Sequence, residues 1–76
     1  MKIAILGTGC PKCEKLEAET RAVADELGLD YELSKVSQVA EIMKYGVMIT
    51  PALVVDGQVK VVGKVPSRDD LRKLLG

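Results

Sequence analysis

The chain has 76 residues, its 11 basic and 11 acidic side chains cancel, and 47% of its residues are hydrophobic. This length predicts one small domain, residues 1–76, since such a chain buries only about 60% of the surface it exposes when unfolded. The balanced charge excludes a net field that would attract nucleic acid, and no apolar run approaches the roughly 18 residues of a membrane span. We therefore predict a globular monomer with no nucleic-acid or membrane partner.

The N-terminal half predicts a strand, a long helix and a second strand. Residues 2–6 are aliphatic with almost no polar interruption, which is typical of a strand buried on both faces. Apolar side chains recur at helical spacing from Pro11 to Leu27, and Gly28 follows as a helix-ending residue. We interpret the carboxylates of this helix as a solvated face. Residues 29–33 alternate with the period of a half-exposed strand.

The next stretch predicts a shorter second helix. Ser37 is expected to cap this helix and Gly46 to close it. The apolar stripe that we interpret as core consists of Val39, Ala40, Ile42 and Met43.

The C-terminal third predicts a hairpin and a last helix. Asp56-Gly57 between two β-branched runs indicates that residues 52–55 and 58–63 are antiparallel neighbours. Ser67, with an acidic residue three positions later, indicates the start of a helix with a leucine face. The order β-α-β-α-β-β-α predicts an α/β fold of three layers, α/β/α, with a four-stranded mixed sheet.

Both cysteines lie in the stretch Thr8-Gly9-Cys10-Pro11-Lys12-Cys13, between the first strand and the first helix. Proline is favoured at the first helical position, so Pro11 places Cys10 at the cap. Free N–H groups and the helix dipole favour a thiolate there, and Lys12 adds a nearby cation. We therefore predict that Cys10 is the nucleophile. Cys13, one turn into the helix, is predicted to be shielded and to act as the resolving cysteine.

The Cys-x-x-Cys pair permits three functions. In a dithiol oxidoreductase, Cys10 attacks a substrate disulfide and Cys13 resolves the mixed disulfide, without a metal or an organic cofactor. In a soft-metal carrier, the two thiolates would bind an ion such as Cu(I), but the fold of such carriers ends on a strand and this chain predicts a terminal helix. The third alternative is a redox-sensing interaction module.

The number of cysteines bears on the cellular compartment. Two cysteines provide too few disulfides for a typical small secreted domain. The same spacing in a cytosolic protein indicates redox or metal chemistry. We therefore expect a cytoplasmic protein. Its partners would be a disulfide-containing protein or a small-thiol substrate, and a reductase or small thiol that reduces it again.

Three features together resemble the thioredoxin fold: the motif Cys10-Pro11-Lys12-Cys13, the dipeptide Thr50-Pro51 that opens the third strand, and the hairpin that ends at Gly63. In its brevity the chain resembles the small glutaredoxin-like, redox-active disulfide proteins of archaea and bacteria. The resemblance covers essentially the whole chain. It implies a cis Thr50-Pro51 bond beside the cysteines and pairing of the Thr50 backbone with a substrate chain. The substrate-binding residues to which it points are Gly9, Pro11, Lys12, Thr50, Pro51 and Gly63.

Overall fold

A four-stranded mixed sheet and three helices form the fold in the computed structural model, which describes residues 1–76. The elements are β1 (Lys2–Leu6), α1 (Pro11–Glu26), β2 (Glu32–Val36), α2 (Val39–Lys44), β3 (Ala52–Val55), β4 (Gln58–Val62) and α3 (Arg68–Leu75). The strand order is β2-β1-β3-β4, in which β1 runs parallel to β2 and β3 runs antiparallel to both of its neighbours. The predicted element order and mixed sheet are confirmed.

Two apolar layers cover the two faces of the sheet. On one face α1 packs against α3, and their side chains meet alternate residues of the central strands, such as Ile3 and Leu53. On the other face α2 contributes Ile42, which belongs to a smaller cluster with Leu6 and Val54. Helices therefore lie on both sides of the sheet, as the sequence predicted, but the two sides are unequally covered. None of the three helices has the length and the apolar content that a membrane span requires.

The position of β2 differs from the sequence prediction by three residues. The strand occupies Glu32–Val36 because its parallel pairing with β1 sets its position, with Lys2 opposite Glu32. Leu29 and Tyr31, which suggested an earlier strand, pack against the core from the preceding loop. Their apolar character therefore reflects burial outside the sheet.

The second helix also differs from its prediction. Gln38, not Ser37, is the N-cap residue, and no side chain caps this helix. Ile42 is buried, whereas the other members of the predicted core stripe, including Val39 and Met43, are exposed. Because α2 has only six residues and is the only helix on this face, it buries only Ile42 against the sheet.

The hairpin and the last helix are confirmed. Asp56 and Gly57 have φ values of 50° and 82°, the positive pair that a tight type I′ turn requires. The Asp56 side chain also accepts a hydrogen bond from the Lys2 N–H over 2.8 Å, which ties the hairpin to the start of β1. At α3, the Ser67 hydroxyl accepts from the Asp70 N–H over 3.2 Å, as the capping pattern predicted.

One buried hydroxyl in α1 generates a stability prediction. Thr20 is fully buried and its Oγ1 has no hydrogen-bond partner. Thr20→Val keeps the side-chain shape and removes the unpaired polar group, so we expect the free energy of unfolding in urea to rise by about 1 to 3 kcal/mol. The same change at exposed Thr8 is the control, with an expected effect within about 0.5 kcal/mol. A lower stability of Thr20→Val would contradict the assignment of an unpaired hydroxyl.

Candidate active site

The ends of all four strands meet at one edge of the sheet. Leu6 pairs with both Val36 and Ala52, and Ala52 pairs with Val62 on its other side. The residues directly beyond these paired ends are Gly7, Ser37, Pro51 and Gly63. The loop that carries the cysteines follows the first of them, so the sheet brings this loop to the same edge as the Thr50-Pro51 dipeptide.

Cys10 caps α1 with its sulfur. Its backbone is extended, with φ −72° and ψ 161°, and Pro11 begins the helix. The Cys13 N–H donates a hydrogen bond to Cys10 Sγ over 3.3 Å, where a serine oxygen lies in an ordinary cap. The predicted position of Cys10 at the cap is confirmed.

The two thiols have pKa values shifted in opposite directions. Hydrogen bonds from the Cys13 thiol and backbone N–H lower the pKa of Cys10, with a smaller contribution from the Lys12 N–H. Burial, and then the hydrogen bond to Cys10, raise the pKa of Cys13, whose exposed fraction is 5%. Cys10 is partly exposed, so the more acidic thiol is also the accessible one.

Gly7 is a site residue that the sequence reasoning missed. It is buried, and a Cβ atom at this position would lie 2.3 Å from Cys13 Sγ. Only a residue without a side chain permits this approach of the buried thiol to the end of β1. The sequence carried one signal for this role, because Gly7 lies between a buried strand and the cysteines. Gly9 lies in the same stretch, so the sequence alone did not distinguish the two glycines.

The predicted residues of the hairpin side lie together. The Thr50-Pro51 peptide bond is cis, as the resemblance implied, and Pro51 is buried while Thr50 is partly exposed. The Gly63 N–H donates to the Pro51 carbonyl over 2.7 Å. A Cβ on Gly63 would lie 3.0 Å from the Ile49 side chain, so this glycine leaves room for the segment that precedes Pro51.

The predicted residues of the cysteine loop surround the partly exposed thiol. Gly9, Pro11 and Lys12 are all exposed. Gly9 has a φ of 89°, a left-handed conformation that favours glycine, and nothing lies within 4 Å of the Cβ position. The space around the Gly9 Cβ position is therefore open.

A polar cavity of about 190 Å³ lies beside Cys13, and Gly9 is also one of its lining residues. Its charged lining consists of Glu14, Glu17 and Lys35. Glu17 binds Lys35 over 3.3 Å and Arg21 over 3.2 Å, and only 17% of its side chain is exposed. The interpretation of the α1 carboxylates as a solvated face is therefore wrong for Glu17, because β2 supplies a partner that the sequence alone did not place.

Comparisons with known proteins identify the family of this chain. The family model described as the thioredoxin domain matches residues 1–76. A protein named thioredoxin from Methanothermobacter thermautotrophicus is 41% identical over 75 residues, which cover 99% of this chain and 97% of that protein. A second protein named thioredoxin, from Methanocaldococcus jannaschii, is 38% identical over 73 residues, which cover 96% of this chain and 84% of that protein.

The shifted pKa values predict unequal reactivity of the two thiols. At neutral pH we expect iodoacetamide to alkylate Cys10 well before Cys13, because thiolate reacts and Cys10 has the lowered pKa and the greater exposure. The alkylation rate of Cys10 should reach half its maximum below the pH typical of a cysteine thiol, and that of Cys13 above it. Mass mapping after limited alkylation across a pH series measures both rates, and the urea-unfolded chain is the control. Faster labelling of folded Cys13 would reverse the assigned order.

The close approach of Gly7 to Cys13 predicts that a substitution at Gly7 changes both stability and the reactivity of Cys10. Gly7→Ala should displace the Cys13 thiol and lower the free energy of unfolding by about 1 to 3 kcal/mol. Because that thiol is the largest cause of the lowered pKa of Cys10, the Cys10 alkylation profile should move to higher pH. In a Cys13→Ala background, which lacks the sulfur, Gly7→Ala should cost less stability. The role of Gly7 would be refuted if Gly7→Ala left the pH profile of Cys10 alkylation unchanged and lowered the free energy of unfolding equally with and without the Cys13 sulfur.

Proposed function

Because this chain belongs to the thioredoxin domain family and is a thiol-disulfide oxidoreductase, we propose that Cys10 is its attacking thiolate and Cys13 its resolving thiol. The hydrogen bond from the Cys13 N–H to Cys10 Sγ carries the proposal. It supports a thiolate at Cys10, at the exposed start of α1, and holds the second sulfur close behind it. The alternatives of a soft-metal carrier and of a sensing module have no comparable observation in their favour.

The first step joins the enzyme to its substrate. The Cys10 thiolate attacks one sulfur of the substrate disulfide, so a Cys10–substrate S–S bond forms as the substrate S–S bond breaks. The second substrate sulfur leaves as a thiolate and takes a proton from solvent. No metal or organic cofactor enters this step, because both electrons of the new bond come from Cys10.

The second step releases the substrate. Cys13 loses its proton and attacks Cys10 Sγ, so the Cys10–Cys13 disulfide forms and the substrate leaves with both of its sulfurs reduced. The raised pKa of Cys13 calls for a proton acceptor at this step. We propose that this proton leaves through the polar cavity beside Cys13, which Glu14, Glu17 and Lys35 line.

Substrate binding follows from the residues around Cys10. We assign the contacts with the substrate backbone to Thr50, next to the buried Pro51, where an extended chain can pair as an additional strand. Gly9, together with Pro11 and Lys12 in the first turn of α1, forms the exposed surface over which the substrate lies, and Gly63 borders it from the end of β4.

The same proposal defines the cellular setting. The substrate is a protein with an accessible disulfide, and a partner reductase or a small thiol returns the Cys10–Cys13 disulfide to the dithiol. We place this cycle in the cytoplasm, where thiols are kept reduced. The same steps run backwards would oxidise a substrate dithiol, so the reduction potential determines the direction of electron flow.

A trapping experiment tests the order of attack. Cys13→Ser keeps the attacking thiolate and lacks the thiol that releases the substrate, so it should accumulate a mixed disulfide with a disulfide-containing protein such as insulin. Cys10→Ser should form much less. Non-reducing electrophoresis followed by mass spectrometry measures both products, and the Cys10→Ser/Cys13→Ser double variant is the blank. Equal trapping by the two single variants would contradict the assigned roles.

A further inference from the structure

The charged side chains that form no ion pair are unevenly distributed between the two ends of the sheet. All three arginines, together with Lys35 and Lys44, pair with carboxylates. The remaining basic side chains are all exposed and are Lys2, Lys12, Lys15, Lys60, Lys64 and Lys73. The acidic side chains outside the ion pairs are also exposed and are Glu14, Asp25, Asp30, Glu32, Asp56 and Asp70.

The end of the sheet that carries the cysteines is basic. Lys12 and Lys15 lie in the first turns of α1, three residues apart and therefore on neighbouring positions of one helix face. Lys64 lies on the hairpin side, because it directly follows Gly63, whose N–H is bonded to the carbonyl of the residue before β3. Among the unpaired carboxylates only Glu14 belongs to this end. We call the three lysines the lysine surface, and they approach the reacting thiol from both sides.

The opposite end of the sheet is acidic. Glu32 begins β2 and pairs in register with Lys2, the only unpaired lysine at this end. Asp56 lies in the turn between β3 and β4, Asp30 lies in the loop before β2, and Asp25 lies in the last turn of α1. The net charge of zero therefore results from two regions of opposite sign, which the composition alone did not reveal.

Charge of one sign at the reacting end acts on a partner before the two molecules touch. The helix α1 runs from the basic end to the acidic end over 16 residues, which separates them by about 24 Å. A partner that approaches Cys10 is therefore much closer to the lysine surface than to the opposing carboxylates. Charges around an interface change the rate of association and its salt dependence more than the affinity.

We propose that the lysine surface attracts substrate proteins whose disulfide lies among acidic side chains. This inference rests on the proposed function, since it takes attack by Cys10 as the reaction that the encounter leads to. An acidic substrate is drawn to the end of the molecule where the thiol reacts. A substrate whose disulfide lies among basic side chains is drawn instead to the acidic end, where no thiol is present, so the two regions act together to select the partner.

Activated peptides test the selection. Each peptide carries its single cysteine as a mixed disulfide with 2-thiopyridine, whose release is followed by absorbance. Two such peptides differ only at the third and fourth positions on either side of the cysteine, which are Asp in one peptide and Asn in the other. The rate constant for each peptide is divided by its rate constant with 2-mercaptoethanol, which corrects for intrinsic reactivity.

The expected result is a preference that salt removes. At about 10 mM NaCl the wild-type protein should react with the Asp peptide on the order of tenfold faster than with the Asn peptide. At about 1 M NaCl the Debye length falls from about 30 Å to about 3 Å, so the two rate constants should become equal. Equal rate constants at low salt would overturn the proposal.

Charge reversal then locates the preference on the lysine surface. The double variant Lys15→Glu/Lys64→Glu should abolish the preference for the Asp peptide or reverse it. The matched control is Lys60→Glu/Lys73→Glu, which changes the net charge equally and should retain the preference. Lys60 lies in the middle of β4 with its Nζ bonded to Gln58, and Lys73 lies near the end of α3. An unchanged preference in the first variant, or an equal loss in both, would refute the assigned surface.

A small substrate separates this inference from the proposed function. The disulfide 2,2′-dithiodipyridine is uncharged, and hydrogen bonds lower the pKa of Cys10, so Lys15→Glu/Lys64→Glu should react with this disulfide at the wild-type rate. Normal reaction with the small disulfide and no peptide preference in the wild type would refute the lysine surface alone. Slow reaction of the wild type, or an unchanged rate in Cys10→Ser, would refute the assignment of Cys10 instead.

Discussion

The hydrogen bond between the Cys13 N–H and Cys10 Sγ connects the fold to its chemistry. The same atoms cap a helix, stabilise a thiolate and hold the two sulfurs close together. A serine at position 10 would keep the cap and lose the reaction, whereas a thiolate anywhere else on α1 would lose the free N–H groups of the first turn. The chemistry therefore depends on the helix beginning at Pro11, and that beginning is set by the end of β1 only a few residues earlier.

The sheet supplies the second half of the site. Because β1 runs parallel to β2 and antiparallel to β3, the last residue of β1 pairs with both the last residue of β2 and the first residue of β3. Residues distant in the chain consequently meet behind the cysteine loop: Pro51 arrives with β3, and Lys35 arrives with β2 as a partner for Glu17. The buried thiol lies beside the cavity that Glu17 and Lys35 line, and Gly7 leaves the space for it.

Local signals in the sequence predicted the elements and the position of Cys10 at the helix cap. The cap at Cys10, the turn at Asp56-Gly57 and the start of the last helix depend on neighbouring residues, so short patterns were sufficient. The features that were missed depend on residues far apart in the chain. The boundaries of β2 follow from its pairing with β1. The role of Gly7 follows from the position of the Cys13 side chain, which belongs to α1. The exposure of Met43 follows from the absence of a second helix on its side of the sheet.

The unequal covering of the two sheet faces has a consequence for how such a protein can diversify. The face under α1 and α3 holds the larger apolar cluster, and a change there alters the stability of the whole molecule. On the face under α2, exposed side chains beside the reacting sulfur can change with little effect on folding. Substitutions on the α2 face can therefore accumulate while the scaffold under α1 and α3 stays constant.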